Sequence, residues 1–441
     1  MLFKATEIFD QIRRGLGEGT HPGDLLELLD PLDDEEKGKL LRLLSDREAA
    51  LLIQEMEQFD QVSLFRLLGS DRASTILREM ASDDAVDLLG ELLPHETAEL
   101  LELVDEDGDE FSGLLKYPEE SAGGIMTTEF ISLPAELPVE EAIARLREIA
   151  PEAETIYYVF VVDSENRLTG VLSLRDLIAA PDGTPLRAIM RRNVISVNAA
   201  LDQEEVARIV SRYDLLAVPV VDDEDYLLGI ITVDDVIDVL EQEATEDIYR
   251  MAGAGEVTGM DFMEAPVHRI AWHRTPWLVI CLLGGLFSGS IIGVFENTLQ
   301  SILVLAVFIP VIMDMGGNVS TQSSTIFVRG IATGEIGADD LWRYFTREVR
   351  VGLLMGLIFG LFIALAAFIW QGSPVLGFVV GISMFATVAL ATLIGSLVPV
   401  IFHKLNIDPA ITSGPLVTTI KDITGLLIYF GMATLFLDYL R

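Results

Sequence analysis

The sequence predicts a multidomain chain of four parts: an all-α helical superhelix, an α/β domain built from a tandem repeat, a long connecting helix, and an all-α transmembrane domain of five helices. Three observations lead there. Charge is divided unequally: residues 1–260 carry 21 Lys and Arg against 58 Asp and Glu, while residues 261–441 carry 9 against 11 and hold nearly all the long apolar runs. A soluble acidic portion followed by a membrane portion accounts for both facts. The apolar periodicity also changes near residue 121, from helical spacing to alternating strands and helices. Finally, the alternating stretch occurs twice. The net charge of −39 repels nucleic acid and anionic lipid heads and attracts cations, so no nucleic-acid partner is expected.

Residues 1–115 read as an acidic helical domain. In "LLELLDPLDDEEKGKLLRLLSDREAALLIQEM" apolar residues recur every three or four positions, and Asp-Pro and Ser-Asp start new helices. Short helices joined by tight turns suit a small superhelix or bundle. The N-terminus has no continuous apolar core of a signal peptide, so the acidic half is expected to stay in the cytoplasm. Cys281 is the single cysteine, which excludes an intrachain disulfide or a cysteine zinc site; its apolar surroundings predict packing.

Residues 116–240 hold the repeats, about 121–180 and 186–240. Each has Ile-Met, a short strand, a helix, an apolar strand ending in Val-Asp, a turn, then Gly-strand-helix. "GVLSLRDLI" (170–178) and "GIITVDDVI" (229–237) align residue for residue. The order and spacing resemble a tandem pair of CBS domains. In both copies a glycine, a hydroxyl and a carboxylate stand three apart: Gly170, Ser173, Asp176 and Gly229, Thr232, Asp235. Such a hydroxyl–acid pair at a strand-to-helix turn can cap the helix or hold the phosphate and ribose of a nucleotide. Both readings stay open.

Residues 241–265 continue as a connecting (plug) helix, and residues 266–441 form the membrane domain. Its expected spans are 276–297, 301–327, 350–370, 375–402 and 411–437, each long enough for a bilayer. Arg and Lys flank the first span, the second-to-third loop and the fourth-to-fifth loop, and are missing from the other two loops. The positive-inside rule then places the N-terminus in the cytoplasm and the C-terminus outside.

Two spans carry polar groups at depth. The fifth holds Lys421 and Asp422 among Thr418, Thr419 and Thr424; the second reads "FIPVIMDMGGNVSTQSSTIFVRG". An ionisable group at a helix centre costs about 2.5–3.5 kcal/mol to insert, which marks Asp314 and Asp422 as candidates for an ion path. Lys421 points about 100° away from Asp422 on a helix, either to neutralise a carboxylate or to reach an interface. Gly316 and Gly317 permit close backbone approach or local unwinding, and Asn318 opens a polar run that helix–helix hydrogen bonding would equally explain. Carboxylate, amide, hydroxyl and carbonyl oxygens make a set for hard cations. One Asp per chain is too few for a dry calcium cage and suits hydrated Mg²⁺; on a twofold axis two Asp422 carboxylates would face one pore. The acid clusters at 82–87, 201–205 and 233–247 are expected to bind divalent cations, which relieve their mutual repulsion.

An acidic helical domain, a CBS pair, a connecting helix and five spans in this order resemble the MgtE family of magnesium channels. "YPEESAGGIMT", "ETIYYVFVVD", "DQEEVA", "TVDDVIDVLEQEATEDI", "GGN" with Gln322, and "DPA…KDITGLLIY" carry the resemblance across essentially the whole chain. It implies a homodimer embedded in the plasma membrane, with Mg²⁺ as cargo and regulator. The pore would be lined by the second and fifth spans, through Asp422, Asn318, Asp314, Gly316, Gly317 and Thr418. Asp422 matches the family's pore aspartate and Asn318 its Gly-Gly-Asn position. The resemblance also implies closure by cytoplasmic Mg²⁺. The matching sensor ligands are Asp83, Asp87, the carbonyl of Gly124, Asp202, Glu204, Asp214, Asp235, Glu243, Glu246, Asp247 and Asp408. ATP at the CBS pair would involve Tyr158, Arg175 and Asp176. Two departures stand out. Gly414 occupies a place where some relatives carry Asn, and Asp314 and Lys421 match no family role.

The leading expectation is therefore a Mg²⁺ channel closed by its own cargo. The alternatives are an H⁺- or Na⁺-coupled divalent carrier using Asp314, Asp422 and Lys421 as a relay, and a membrane-bound adenine-nucleotide sensor. No enzyme is expected, because the five histidines lie apart and no nucleophile–base pairing is visible.

Overall fold

The computed structural model describes residues 2–29, 31–56, 58–104, 106–151, 153–254, 266–337, 340–405, 407–412 and 414–440. They fall into two compact units, Met1–Glu241 and Gln242–Arg441.

The first unit opens with short helices: α1 (Leu2–Glu18), α2 (Pro22–Leu26), α3 (Asp34–Leu41), α4 (Asp46–Gln54), α5 (Gln58–Leu68), α6 (Ser70–Leu77), α7 (Ser82–Glu91), α8 (Pro94–Leu103) and α9 (Glu106–Leu114). The breaks are chemical. Asp33 and Ser45 form capping boxes with Glu36 and Glu48, satisfying backbone donors that a helix start leaves unpaired. Leu41, Leu52, Ile53, Ile76, Leu77 and Leu88 are fully buried along the inner faces.

The repeats follow as two three-stranded sheets, β1 (Ser132–Pro134), β2 (Tyr158–Val162), β3 (Leu168–Ser173) and β4 (Val197–Asn198), β5 (Ala217–Val221), β6 (Leu227–Thr232). The first strand of each sheet pairs parallel and the last antiparallel to the middle one, with matching bulges at Val161/Val162 and Val220/Val221. Asp163 and Asp222 order the two turns alike: each Oδ1 accepts two backbone N–H groups, those of Glu165 and Arg167 in one copy and Glu224 and Tyr226 in the other. The copies are joined reciprocally, since Leu168 N–H donates to the Asp225 carbonyl and Leu227 N–H to that of Asn166. Around the sheets lie α10 (Val139–Ile149), α11 (Leu174–Ala179), α12 (Leu186–Ile189) and α13 (Gln203–Tyr213). The second repeat shares one hydrophobic core with the N-terminal helices, through Val197, Val206, Val218 and Ile231.

α14 (Val233–Ala252) leaves β6 directly. Of the expected connecting helix, 255–265 lies outside the described residues. The second unit contains α15 (Val267–Val294), α16 (Glu296–Ser301), α17 (Leu305–Ala332), α18 (Leu341–Gln371), α19 (Pro374–Lys404), a 3-10 turn (Pro409–Thr412), α20 (Pro415–Leu435) and α21 (Leu437–Leu440). Five long helices thus occupy the five expected places. Four of them, α15, α18, α19 and α20, are long and apolar enough to cross a membrane; α17 is 28 residues long but its polar run removes it from that group.

α19 packs against α18, α17 and α20, and α15 against α20. Glycines bring α18 and α19 together: a Cβ on Gly360 would stand 2.8 Å from the Gly381 carbonyl, and one on Gly356 2.8 Å from that of Phe385. Small residues at such spacing are how apolar helices gain contact area in lipid. Two expectations change. Cys281 is exposed, on an outer face of α15 with Leu278, Leu282 and Leu286, because the chain buries only a narrow strip of that helix. α17 also runs unbroken through Pro310, Gly316 and Gly317, so the glycines serve close approach and not unwinding.

Candidate functional site

Three groupings of chemically active side chains emerge, two in the first unit and one in the second.

The first is a cluster of carboxylates, of which Asp83, Asp84 and Asp235 are half-buried and Asp87, Asp238, Glu119 and Glu154 lie at its exposed rim. α7 begins with Asp83 and Asp84 and α14 with Asp234 and Asp235, which sets acidic first turns at two helix N-termini. Ser82 anchors α7 to the first repeat by accepting from the Thr128 N–H at 3.0 Å and bonding the Thr127 hydroxyl at 3.2 Å. Burial pushes the Asp83 carboxyl well up, with the Asp235 and Asp84 charges adding to it. Burial likewise raises Asp84 to about 6, against a hydrogen bond from Gln54, and Asp87 to about 7, reinforced by Asp84, Glu119 and Asp235. Asp235, Asp238, Glu119 and Glu154 are raised by the same two causes. Groups that raise one another in this way share a field that a cation would relieve. Among the described residues no three acidic or histidine side chains close into a ready-made ligand cage. The oxygen-only donors and their spacing therefore fit a hydrated hard cation better than a dry one.

The second grouping is a cavity of about 350 Å³ in the repeat pair, lined by Tyr157, Tyr158, Ser173, Arg175, Asp176, Arg191 and Leu216 with neighbouring backbone. Its size is that of a small-ligand pocket. Ser173 Oγ donates to Asp176 Oδ2 at 2.7 Å and accepts the Asp176 N–H at 3.1 Å, a capping box that opens α11. Those bonds hold the Asp176 carboxyl low, aided by Arg191 and Arg175. Thr232 and Asp235 repeat the hydroxyl–acid bond at 2.6 Å, yet Asp235 is raised, because loss of solvent outweighs that bond and the charges of Asp234 and Asp238 add to it, whereas arginines stand near Asp176. One motif thus sits in two opposite fields.

The third grouping lies between α17 and α20. Asp314, Asn318, Thr321, Gln322 and Thr325 are exposed along one face of α17, while Phe308, Ile312, Gly316, Val319, Ser323 and Phe327 are buried on the other. Asn318 Nδ2 donates to Asp314 Oδ2 at 3.2 Å. On α20, the Thr418 hydroxyl donates to the Gly414 carbonyl at 2.9 Å. The Asp422 side chain is 28% exposed, and its Oδ1 accepts no hydrogen bond among the described residues. The Lys421 ammonium lies against that oxygen and donates to the Met313 carbonyl.

Residues 309–432 match the MgtE family, described as a divalent cation transporter, residues 20–120 the MgtE intracellular N domain, and residues 122–183 and 186–242 the CBS domain. The chain is 44% identical over 425 residues to the magnesium transporter MgtE of Thermus thermophilus, across 96% of this chain and 94% of that protein. The chain belongs to the MgtE family. It is also 43% identical over 327 residues to the magnesium transporter MgtE of Bacillus subtilis, across 74% of this chain and 72% of that protein. A solved cytosolic domain of the Mg²⁺ channel MgtE in complex with ATP is 39% identical, with a TM-score of 0.49, and covers 53% of this chain and 99% of that one. MgtE-family members are transporters, not enzymes.

Within this MgtE-family chain the expected ligands separate into groups. Asp83, Asp87 and Asp235 come together with Asp84 and Asp238 of the expected acid clusters, and recruit Glu119 and Glu154, which lie outside those clusters. Glu154 was beyond reach of sequence spacing, because only the tertiary fold carries its loop to α14. Asp202 caps α13 beside the turn that holds Gly124, through a Ser121–Asp202 bridge, and Glu204 pairs with Arg208 at 2.9 Å. Asp214 is exposed at the opposite, left-handed end of α13, about 16 Å away at 1.5 Å per residue, so it joins neither group. Glu243 and Asp247 are half-buried on α14. Glu246 and Asp408 are linked through Arg250, whose guanidinium contacts Glu246 and donates to Asp408 Oδ2 at 2.7 Å. Gly414 has its own reason: a Cβ there would stand 2.5 Å from the Met251 carbonyl. Arg191 was also missed, although "IMRR" where the first repeat has "IMTT" was the available signal.

Proposed function

We propose that this MgtE-family protein is a Mg²⁺ channel of the plasma membrane that closes when cytoplasmic Mg²⁺ rises. The carrying observation is the α17 face: five polar side chains in helical register, uncovered by the rest of the chain, on a helix among membrane-spanning neighbours. Such a face cannot stand against lipid and must line water or protein. Asp422 on the adjoining α20 supplies the carboxylate. Two copies meeting about a twofold axis would bring two such faces and two Asp422 residues to one pore, with the soluble portion in the cytoplasm and the C-terminus outside. A hydrated ion fits a site with so few direct ligands.

The clustered carboxylates of α7 and α14 are the proposed sensor, with Asp202, Glu204, Gly124, Asp214, Glu243, Glu246, Asp247 and Asp408 as further ligands. Mg²⁺ shifts the gate only by binding the closed state more tightly than the open one. The repulsion among Asp83, Asp84, Asp87 and Asp235 supplies that difference if the cluster is compact only when closed. The repeat-pair cavity suits ATP: Arg175 and Arg191 for phosphates, Tyr158 for the base, Asp176 for ribose hydroxyls.

Patch-clamp of the reconstituted protein tests this directly. Inward Mg²⁺ current should fall as cytoplasmic Mg²⁺ rises, and Asp422→Ala should remove the current. Flux limited to carrier rates and dependent on an H⁺ or Na⁺ gradient would select the coupled-carrier reading instead.

A further inference from the structure

The ion path described above has no need of Lys421, yet its side chain is only 5% exposed. Burying an ammonium among apolar helices is costly unless it is paired and hydrogen-bonded. Here both conditions are met. Nζ lies against Oδ1 of Asp422 and donates to the Met313 carbonyl of α17. The room comes from two glycines: a Cβ on Gly317 would stand 3.1 Å from Nζ, and one on Gly316 3.4 Å from Cδ. Gly316 and Gly317 thus make room for the lysine on α17; a Cβ on Gly316 would also stand 3.1 Å from Thr387 of α19. The carboxyl group of Asp314, on the same stretch of α17, is on the exposed face and bonded to Asn318.

We propose that Lys421 is a tethered cation of the conduction site. It partly neutralises Asp422 and so sets how tightly the divalent cargo is held; this rests on the reading of Asp422 as the pore carboxylate. A channel site must bind well enough to admit an ion and weakly enough to release it. A fixed positive charge beside the carboxylate lowers the attraction felt by a passing ion in proportion to that ion's valence. The effect on a divalent ion, as a fold-change in binding, is therefore the square of the effect on a monovalent one. Simple loosening of helix packing would move both by the same factor.

The test is single-channel recording on the reconstituted full chain in Mg²⁺ alone, and in Na⁺ without divalents, for Lys421→Met, Gly317→Ala and Asp422→Asn. Removing the charge should lower the half-saturating Mg²⁺ roughly tenfold and that of Na⁺ roughly threefold. Gly317→Ala keeps the lysine but crowds its ammonium, and should shift both in the same direction by less. It decides the question should Lys421→Met fail to assemble. Equal shifts for the two ions, or half-saturation within about twofold of wild type in both variants, overturn the proposal. Asp422→Asn stands apart: conduction unchanged by it would overturn the pore reading itself, whatever Lys421 does.

Discussion

At the scale of single residues, two aspartates from one duplicated motif show how environment divides chemistry. Asp176 and Asp235 both bond the hydroxyl three positions earlier, yet that bond, aided by two arginines, holds the first carboxyl low, while burial, aided by Asp234 and Asp238, pushes the second up. Two predictions belong here. Arg191→Ala should weaken ATP binding to the full-length protein by about tenfold, as expected for a lost charged contact of roughly 1.5 kcal/mol, measured by calorimetry. The second concerns pH. Asp84 and Asp87, at about 6 and about 7, hold their protons more tightly folded than unfolded. Their contribution to stability is therefore fully present below the ordinary carboxyl range and is lost as pH rises through 6 to 7. In chelator, the protection of α7 amides, taken relative to their base-catalysed intrinsic exchange, should fall from pH 5 to pH 8. Added Mg²⁺ should reverse that, and Asp87→Asn should flatten the profile.

At the scale of elements, α17 decides most. Its place and length were legible in the sequence, and so were its polar residues; its continuity through Gly316 and Gly317 was not. Which of them share the uncovered face was legible only in part. Asp314, Asn318, Thr321 and Thr325 follow helical spacing, but Ser320, Ser323 and Ser324 lie in the same polar run and are buried against neighbours. Hydroxyl-rich helices give both faces similar chemistry, so packing partners and not composition choose between them. With Cys281 replaced by Ala, single cysteines at 314, 318, 321 and 325 should react with a membrane-impermeant thiol reagent at least tenfold faster than cysteines at 319 and 327, which the fold buries. Equal rates would show that α17 presents no wet face.

At the scale of the whole molecule, Mg²⁺ should act as a stabilising ligand of the closed form. At a hundredfold excess over its dissociation constant, a single such site adds about 2.7 kcal/mol. The combined Asp83→Asn and Asp87→Asn variant should lose most of the Mg²⁺-dependent rise in melting temperature and should conduct at Mg²⁺ levels that close the wild type. Arg250 offers a separate handle in the second unit: its guanidinium joins Glu246 to Asp408, two of the expected ligands.

The domain order, the duplicated repeat and the places of the long helices were determined by the sequence itself. Each is written in local spacing: helix caps, a motif copied at a fixed interval, and apolar runs of bilayer length. Three things were decided only by tertiary structure. Packing selected which carboxylates of a heavily acidic soluble portion gather in one cluster, and it added Glu119 and Glu154 from distant loops. It set Arg191 of one repeat beside Asp176 of the other. It also laid Lys421 in the room left by two glycines on another helix, against the neighbouring carboxylate. Charge and periodicity are properties of position along the chain, whereas a field at one atom is a sum over whatever folding brings near it.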